Sequence, residues 1–510
     1  MPAMKFERSC GVLLHPTCLP GPWGIGDLGP AAFRYVDWLA DAGVEWWQVL
    51  PLNPPGPGFS PYASISSFAG TALLVSPEAL VADGLLRQPD LAARPAFPDT
   101  AVALEQAVPF KEALLRTAWA RFTAAPPPGL AAEFEAFAAG ERDWLDDFAL
   151  FAALLDAHGG RHWRSWPKRL ALGEPPALEA WRREHEGELR FQRFRQFLFG
   201  RQWAALRRHA AGRGVRILGD LPIYVADNSA DVWARRELFQ LDAAGRPTAV
   251  AGVPPDYFSR TGQLWGNPLY DWPAHRRTGY AWWIARMRRM LTLFDAVRID
   301  HFRGFAGYWA VPAGAKTAVG GRWLPGPGRE LFDALAAALG SLPLVAEDLG
   351  VITPDVEALR DGLGLPGMAI LQFAFSPSLR SSFVPYRHRA NLVVYTGTHD
   401  NNTTLGWFLG EATDGEREYL RRYLDTDARE VHWDLIRAAL ASVADLAVVP
   451  HQDLAGLGGD CRMNTPSTAD GNWRFRLTGW MLGEGLQRRL ADLVWLYGRS
   501  AATRPKPEAG

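Results

Sequence analysis

The sequence predicts an α/β protein built on a (β/α)₈ barrel, a TIM barrel with large inserted subdomains. Three observations carry the prediction: eight short β-type runs, helical patterns between most of them, and carboxylates at the ends of three of the runs. The runs are rich in Val, Ile, Leu and aromatic residues and are bounded by Gly, Pro, Asn or Asp. In order they are Gly11 to Leu14, Trp46 to Leu50, Arg216 to Val225, Phe294 to Ile299, Leu344 to Ala346, Met368 to Phe373, Asn391 to Tyr395 and Asp445 to Val449. Helical periodicity fills Ala31 to Ala42, Arg277 to Leu293, Arg329 to Leu339, Pro354 to Gly362 and Asp414 to Leu440.

A barrel of this kind takes about 250 residues, and the chain has 510, so residues 1–510 are expected to form one catalytic barrel carrying insertions. The longest gap between runs, 51–214, opens on a Gly/Pro-rich loop and continues through helical stretches at Ala103 to Phe122, Leu130 to His158 and Ala177 to Ala211. It predicts a mainly helical inserted subdomain. The second gap, 226–276, is read as loop, with the segments Gly252 to Phe258 and Trp265 to Pro268. Long ordered loops over a barrel mouth serve as lids, so 226–276 is expected to cover the site.

Composition narrows the function. With 54 basic and 55 acidic residues the net charge is −1, so no global positive field recruits nucleic acid or an anionic membrane. The longest weakly polar stretch, Ala334 to Ala346, covers 13 residues, short of the roughly 20 that span a bilayer. The first β-type run follows Glu7 so closely that no secretion signal fits before it, which predicts a cytoplasmic protein. Cys10, Cys18 and Cys461 are too scattered for a disulfide framework or a zinc ribbon and are read as reduced thiols. The 22 Trp, 26 Phe and 12 Tyr mostly serve packing, but such wealth in an uncharged protein also suits a sugar cleft, where flat C–H faces stack on rings.

The chemistry sits at the run ends. In Arg298-Ile299-Asp300 the first and third side chains share a strand face, so Arg298 lies beside Asp300. A fixed Arg lowers the pKa of an Asp and keeps it ionised, as a carboxylate nucleophile requires, although the same triplet also suits a structural ion pair. The next run ends in Glu347, an acid at an apolar strand end near other carboxylates. Its pKa is expected to rise, which fits a general acid, while a structural role stays open. Asp348 points to the opposite face, where a cap or loop hydrogen bond is expected. After the seventh run, Thr398-His399-Asp400-Asn401 offers either a His–Asp hydrogen bond or a grip on sugar hydroxyls. Asp300, Glu347 and Asp400 fall on the fourth, fifth and seventh runs, and their meeting at one rim favours catalysis.

Other motifs fare worse. The sequence contains no His-Glu-x-x-His, no Gly-x-x-x-x-Gly-Lys and no Gly-x-Ser-x-Gly on a strand. Gly24, Gly26 and Gly29 match the spacing of a dinucleotide loop, but His15 to Pro20 separates them from the first run and breaks the tight strand-to-helix geometry.

Taken together, Ser60-Pro61-Tyr62, Gly219 to Val225, the Gly252 to Phe258 loop, Gly262 to Pro268, Arg298 to Gly304, Ala346 to Gly350, Thr398 to Asn401 and Arg462 to Pro466 resemble, in order, the segments of the amylomaltases, or disproportionating enzymes. These are 4-α-glucanotransferases of the α-amylase clan. The resemblance implies a barrel with no separate C-terminal β-domain. It implies Asp300 as nucleophile, Glu347 as acid/base and Asp400 as the residue holding the hydroxyls of the reacting glucose. Arg298, His399 and Asp220 would support them. Ser60, Tyr62, Tyr257, Phe258 and Trp265 would bind substrate, the four aromatics as walls for neighbouring glucose units.

The reaction so implied is transfer of an α-1,4-glucan segment to the 4-hydroxyl of another glucan or of glucose, by retaining double displacement. Maltooligosaccharides, amylose or other α-1,4-glucans are the expected partners, with glucose as acceptor. No metal, no cofactor and no obligate protein partner are expected. An α-1,4-glucan hydrolase with the same three carboxylates is the alternative. Three departures stand out. Arg260 occupies a place where the family usually has Glu, Asn402 stands where an acidic residue is common, and Ala306 replaces a frequent Glu. None touches the three carboxylates.

Overall fold

All eight β-type runs form strands, and their register is what places the site. The computed structural model describes residues 5–255, 259–377, 381–468 and 470–503. The barrel strands are β1 (Ser9–Leu13), β2 (Trp46–Gln48), β3 (Arg216–Pro222), β4 (Ala296–Asp300), β5 (Leu344–Ala346), β6 (Gly367–Ile370), β7 (Leu392–Tyr395) and β8 (Leu446–Pro450). Neighbours in the sheet follow chain order and run parallel, and β8 pairs back onto β1. The ring closes between β5 and β6, where the Ala346 N–H donates to the Pro366 carbonyl at 2.9 Å. Buried on both faces, these strands are near-continuous runs of apolar residues. Gly219 in β3 is required by its neighbour, since a Cβ there would meet the Phe294 ring at 2.2 Å.

Several boundaries move inward from those expected. The third run stops at Pro222, which ends the ladder for want of an N–H. The sixth stops at Ile370 and turns into a 3₁₀ helix, Leu371–Phe373. The long helix expected over 414–440 is two, Asp414–Leu424 and Val431–Ala441, separated where Asp425 and Ala428 take positive φ.

Between β2 and β3 the chain folds into helices, the longest being Leu104–Ala124, Leu130–Gly140, Arg142–Ala157, Pro175–Glu184 and Glu186–Gly212. Two of the helical stretches expected here are broken, at Glu141 (φ −103°, ψ 9°) and His185 (φ −116°, ψ 25°), residues that leave helical geometry for a single step. Phe122, Phe134 and Phe194 pack edge to face or tilted at their centre, with ring centroids 4.7 to 6.0 Å apart. Lys111 ties the first of these helices to the barrel's opening loop through a buried 3.0 Å ion pair with Asp27.

The region read as loop also contains strands. Ala249–Val253, Gln263–Pro268, Gly307–Pro312 and Arg322–Pro325 form a four-stranded antiparallel sheet beside the barrel mouth, with Ala249–Val253 and Gly307–Pro312 in the middle. Its strands are four to six residues long and carry no sustained alternation of apolar and polar residues, so they do not separate from loop in the sequence. Among the described residues no strand follows β8, and Glu484–Leu496 is the main C-terminal helix.

Candidate active site

Register brings the charged residues together. In the β3–β4 ladder Asp220 lies opposite Arg298 and Pro222 opposite Asp300. In the β4–β5 ladder Ile299 lies opposite Ala346, so the next residues, Asp300 and Glu347, are lateral neighbours. The ladder continues past them, with the Glu347 N–H donating to the Ile299 carbonyl (3.0 Å) and the Phe302 N–H to the Glu347 carbonyl (3.1 Å). Side chains at the same level of neighbouring parallel strands project to the same face, so the two carboxyls face one cleft.

Arg298, 4% exposed, donates to both oxygens of Asp220 at 2.8 Å from one nitrogen and to Asp300 Oδ1 at 2.9 Å from the other. Tyr62 adds a 2.6 Å hydrogen bond from its hydroxyl to Asp220 Oδ2. Burial pushes the Asp300 carboxyl up, Arg298 pulls it down, and Asp220 and Asp400 push it up again. The net shift is upward, with burial its largest cause, so the lowering expected from Arg298 does not prevail.

Glu347 differs in its partners. Its Oε2 accepts from the His301 N–H (2.7 Å) and its Oε1 from the Leu349 N–H (2.9 Å). His301 sits in the left-handed region (φ 54°) as the chain turns out of β4. Burial and the neighbouring Asp300 push the Glu347 carboxyl up to about 8, against Arg298 and the two backbone donors. Asp300 holds the direct Arg298 contact and Glu347 does not, a difference that favours the proton on Glu347 over Asp300. Asp348, facing the other way, accepts from the Met368 N–H at 2.7 Å and pairs with Arg360, stitching β5 to β6.

The loop after β7 supplies the opposite wall. Asp400 Oδ1 accepts from Asn464 Nδ2 at 2.6 Å and lies 3.3 Å from His399 Nε2. Arg462 donates to the Asp400 carbonyl (2.5 Å) and the Asn464 carbonyl (2.8 Å). The Tyr62 ring stacks on His399 with centroids 5.0 Å apart and planes 9° apart, and Trp473 leans on both. Asp453 holds the loop from below. It accepts from the Thr404 N–H (2.7 Å), the Thr404 hydroxyl (2.8 Å) and the Thr396 hydroxyl (2.5 Å). Gly397 lets Gln372 approach, since a Cβ there would meet Nε2 at 2.6 Å, and that amide donates to the Asn402 carbonyl.

Asp220, Arg298, Asp300, Glu347, His399, Asp400 and Tyr62 thus share one mouth at the C-terminal ends of the strands. Ser60 shapes the Tyr62 turn, its Oγ accepting from the Tyr62 N–H at 3.3 Å. Trp265, 38% exposed, stands edge-on to His301 at 4.7 Å. Tyr257 and Phe258 lie outside the described residues. The sequence reading did not single out Trp473, Asn464, His301 or Asp453. Asn464 sits in a segment already quoted, but no periodicity tells that a loop beyond β8 returns to Asp400.

Comparison with known proteins agrees with this geometry. The glycoside hydrolase 77 family model, described as 4-alpha-glucanotransferase, matches residues 14–482. The 4-alpha-glucanotransferase of Synechocystis sp. is 49% identical, with 97% of this chain and 99% of that protein aligned. That of Thermus thermophilus is 48% identical over 93% and 95%. The structure of an amylomaltase from Streptococcus agalactiae in complex with acarbose superposes with a TM-score of 0.94 at 35% identity, covering 97% of this chain and all of the other. With its parallel eight-stranded barrel and these matches, the chain belongs to the 4-alpha-glucanotransferase family.

Proposed function

We propose that Asp300 is the nucleophile and Glu347 the acid/base of a retaining double displacement on α-1,4-glucans. The observation that carries this reading is the split between two lateral carboxyls, one bonded to Arg298 and one raised to about 8 with only backbone donors. In the first half-reaction Asp300 attacks the anomeric carbon while the Glu347 proton passes to the departing 4-oxygen, leaving a β-linked glycosyl-enzyme. In the second, Glu347 takes the proton of an incoming 4-hydroxyl, that oxygen displaces Asp300, and the α-1,4 bond is remade. A retaining mechanism needs the two carboxyls about 5 Å apart, so that the nucleophile reaches the sugar without an intervening water, and lateral neighbours on adjacent strands allow that separation.

Asp400 and His399 hold hydroxyls of the reacting glucose, and Tyr62 forms a wall for a neighbouring glucose unit. Asp220 and Arg298 are positioning residues. The helical insertion 51–214 forms a subdomain beside the mouth and 226–276 its lid, with Trp265 as a sugar-facing aromatic and Tyr257 and Phe258 as further substrate-binding residues. The substrates are maltooligosaccharides and longer α-1,4-glucans, with glucose as acceptor. The acarbose bound by the Streptococcus agalactiae relative supports this class. We place the reaction in cytoplasmic maltodextrin and glycogen metabolism, a reading that the unpaired Cys10, Cys18 and Cys461 support. Among the described residues no helix is long and apolar enough to cross a membrane.

Incubation with maltotriose alone, read by thin-layer chromatography, tests the reading. Glucose together with chains longer than the input is expected. Glucose and maltose alone would make the protein a hydrolase.

A further inference from the structure

The four-stranded sheet carries an exposed tryptophan that the site described above does not use. Its register sets Leu264, Gly252, Trp309 and Trp323 opposite one another across the four strands, in one row. Trp323 is 41% exposed at one end of the row. Its indole is nonetheless fixed. The buried Arg303 guanidinium lies 3.9 Å from its ring centroid, and the Trp309 ring meets it at 5.2 Å and 66°. Trp309 is itself anchored, donating from Nε1 to the Ala318 carbonyl at 2.8 Å. Trp323 therefore rests on a cation and packs against a second indole, while 41% of its surface stays exposed to solvent.

This exposed indole is tied to the active-site rim through Arg303. Arg303 follows Asp300 by three residues, and it donates to the carbonyl of Val351, which follows Glu347 by four. Val351 is exposed beside it. The patch thus flanks the acid/base carboxyl, where the leaving chain departs and the acceptor enters. An uncharged polymer with flat apolar C–H faces matches an exposed indole held in place by its neighbours, because little side-chain freedom is lost on stacking.

Resting on the reading of the site given above, we infer that Trp323 is a remote acceptor-side platform, stacking a glucose unit of a long α-1,4-glucan several residues away from the reacting bond. Short chains that fill only the subsites at the carboxylates gain nothing from it.

The test compares Trp323→Ala and Trp323→Phe with the wild-type enzyme on amylose and on maltotriose, measuring kcat and KM for each. Loss of one aromatic stack is expected to lower the ratio of kcat/KM for amylose over that for maltotriose about three- to tenfold in Trp323→Ala, through KM. Trp323→Phe is expected to restore most of it. An unchanged ratio, or equal losses on both substrates, overturns the platform. Absence of maltotriose transfer in the wild-type enzyme counts instead against the functional reading on which the platform rests.

Discussion

Arg298 donates to Asp300 at 2.9 Å, and this contact divides the labour between two carboxyls that occupy adjacent strands at the same level. Without it, Asp300 and Glu347 would share a proton between similar sites. With it, the proposed mechanism places the anion on Asp300 and the proton on Glu347.

The first consequence is a pH dependence. Glu347 must carry a proton to expel the leaving chain, and its carboxyl is raised to about 8. The rate of glycosyl-enzyme formation is expected to fall as pH rises through about 8. Glu347→Gln should remove that alkaline limb and lower turnover of maltotriose, whose leaving group needs a proton, by about 10²- to 10⁴-fold, while glycosyl-enzyme formation from an activated donor whose leaving group needs none is largely kept.

The same shift costs stability. A carboxyl raised in the folded state binds its proton more tightly there than in the unfolded chain. It therefore destabilises the fold progressively from about pH 4.5, its ordinary value, up to about 8, and by a constant amount above. Glu347→Gln is expected to melt at a higher temperature than the wild-type enzyme at pH 9, with the gap closing at pH 4. A gap independent of pH would show that the proton is not held where the geometry places it.

Arg298→Lys keeps the charge but cannot bond both Asp220 and Asp300 in the same plane. Turnover is expected to fall by about 10²-fold or more, and the acid limb of the pH–rate profile to move to higher pH as Asp300 loses its partner. A profile of unchanged shape would assign Arg298 to folding alone.

Tyr62→Phe removes the 2.6 Å bond to Asp220 and leaves the stack on His399. The expected loss in kcat/KM is about two- to tenfold, whereas Tyr62→Ala, which removes the stack as well, should lose distinctly more. Equal losses in the two variants would mean that the ring contributes nothing to sugar binding.

Asp453 ties Thr396 to Thr404, the two ends of the loop bearing His399 and Asp400. Asp453→Ala leaves a buried N–H and two hydroxyls without their acceptor and is expected to cost about 2 to 4 kcal/mol in urea unfolding. Turnover of the folded variant should fall with it. Full activity in the folded variant would show that the loop is held by Arg462 and Gln372 instead.

What could be read in advance follows from which patterns are local. The barrel strands are dense apolar runs with charged ends, and the period-2 rule alone puts Arg298 beside Asp300, as the structure has it. The small antiparallel sheet was hidden because Ala249–Val253 is built of small residues that read as loop. The helix breaks at Asp425 and Ala428 depend on positive φ angles that no composition announces. Trp473 and Asn464 reach the site from beyond β8, a tertiary return that no local spacing encodes.

The most direct test of the account is to trap the intermediate. Glu347→Gln, given α-maltosyl fluoride and no acceptor, should accumulate a glycosyl-enzyme, because fluoride leaves without a proton while the second half-reaction lacks its base. Peptide mapping by mass spectrometry is expected to find the maltosyl group on the peptide bearing Asp300. A label on any other residue, or fluoride release with inverted product and no adduct, contradicts the assignment.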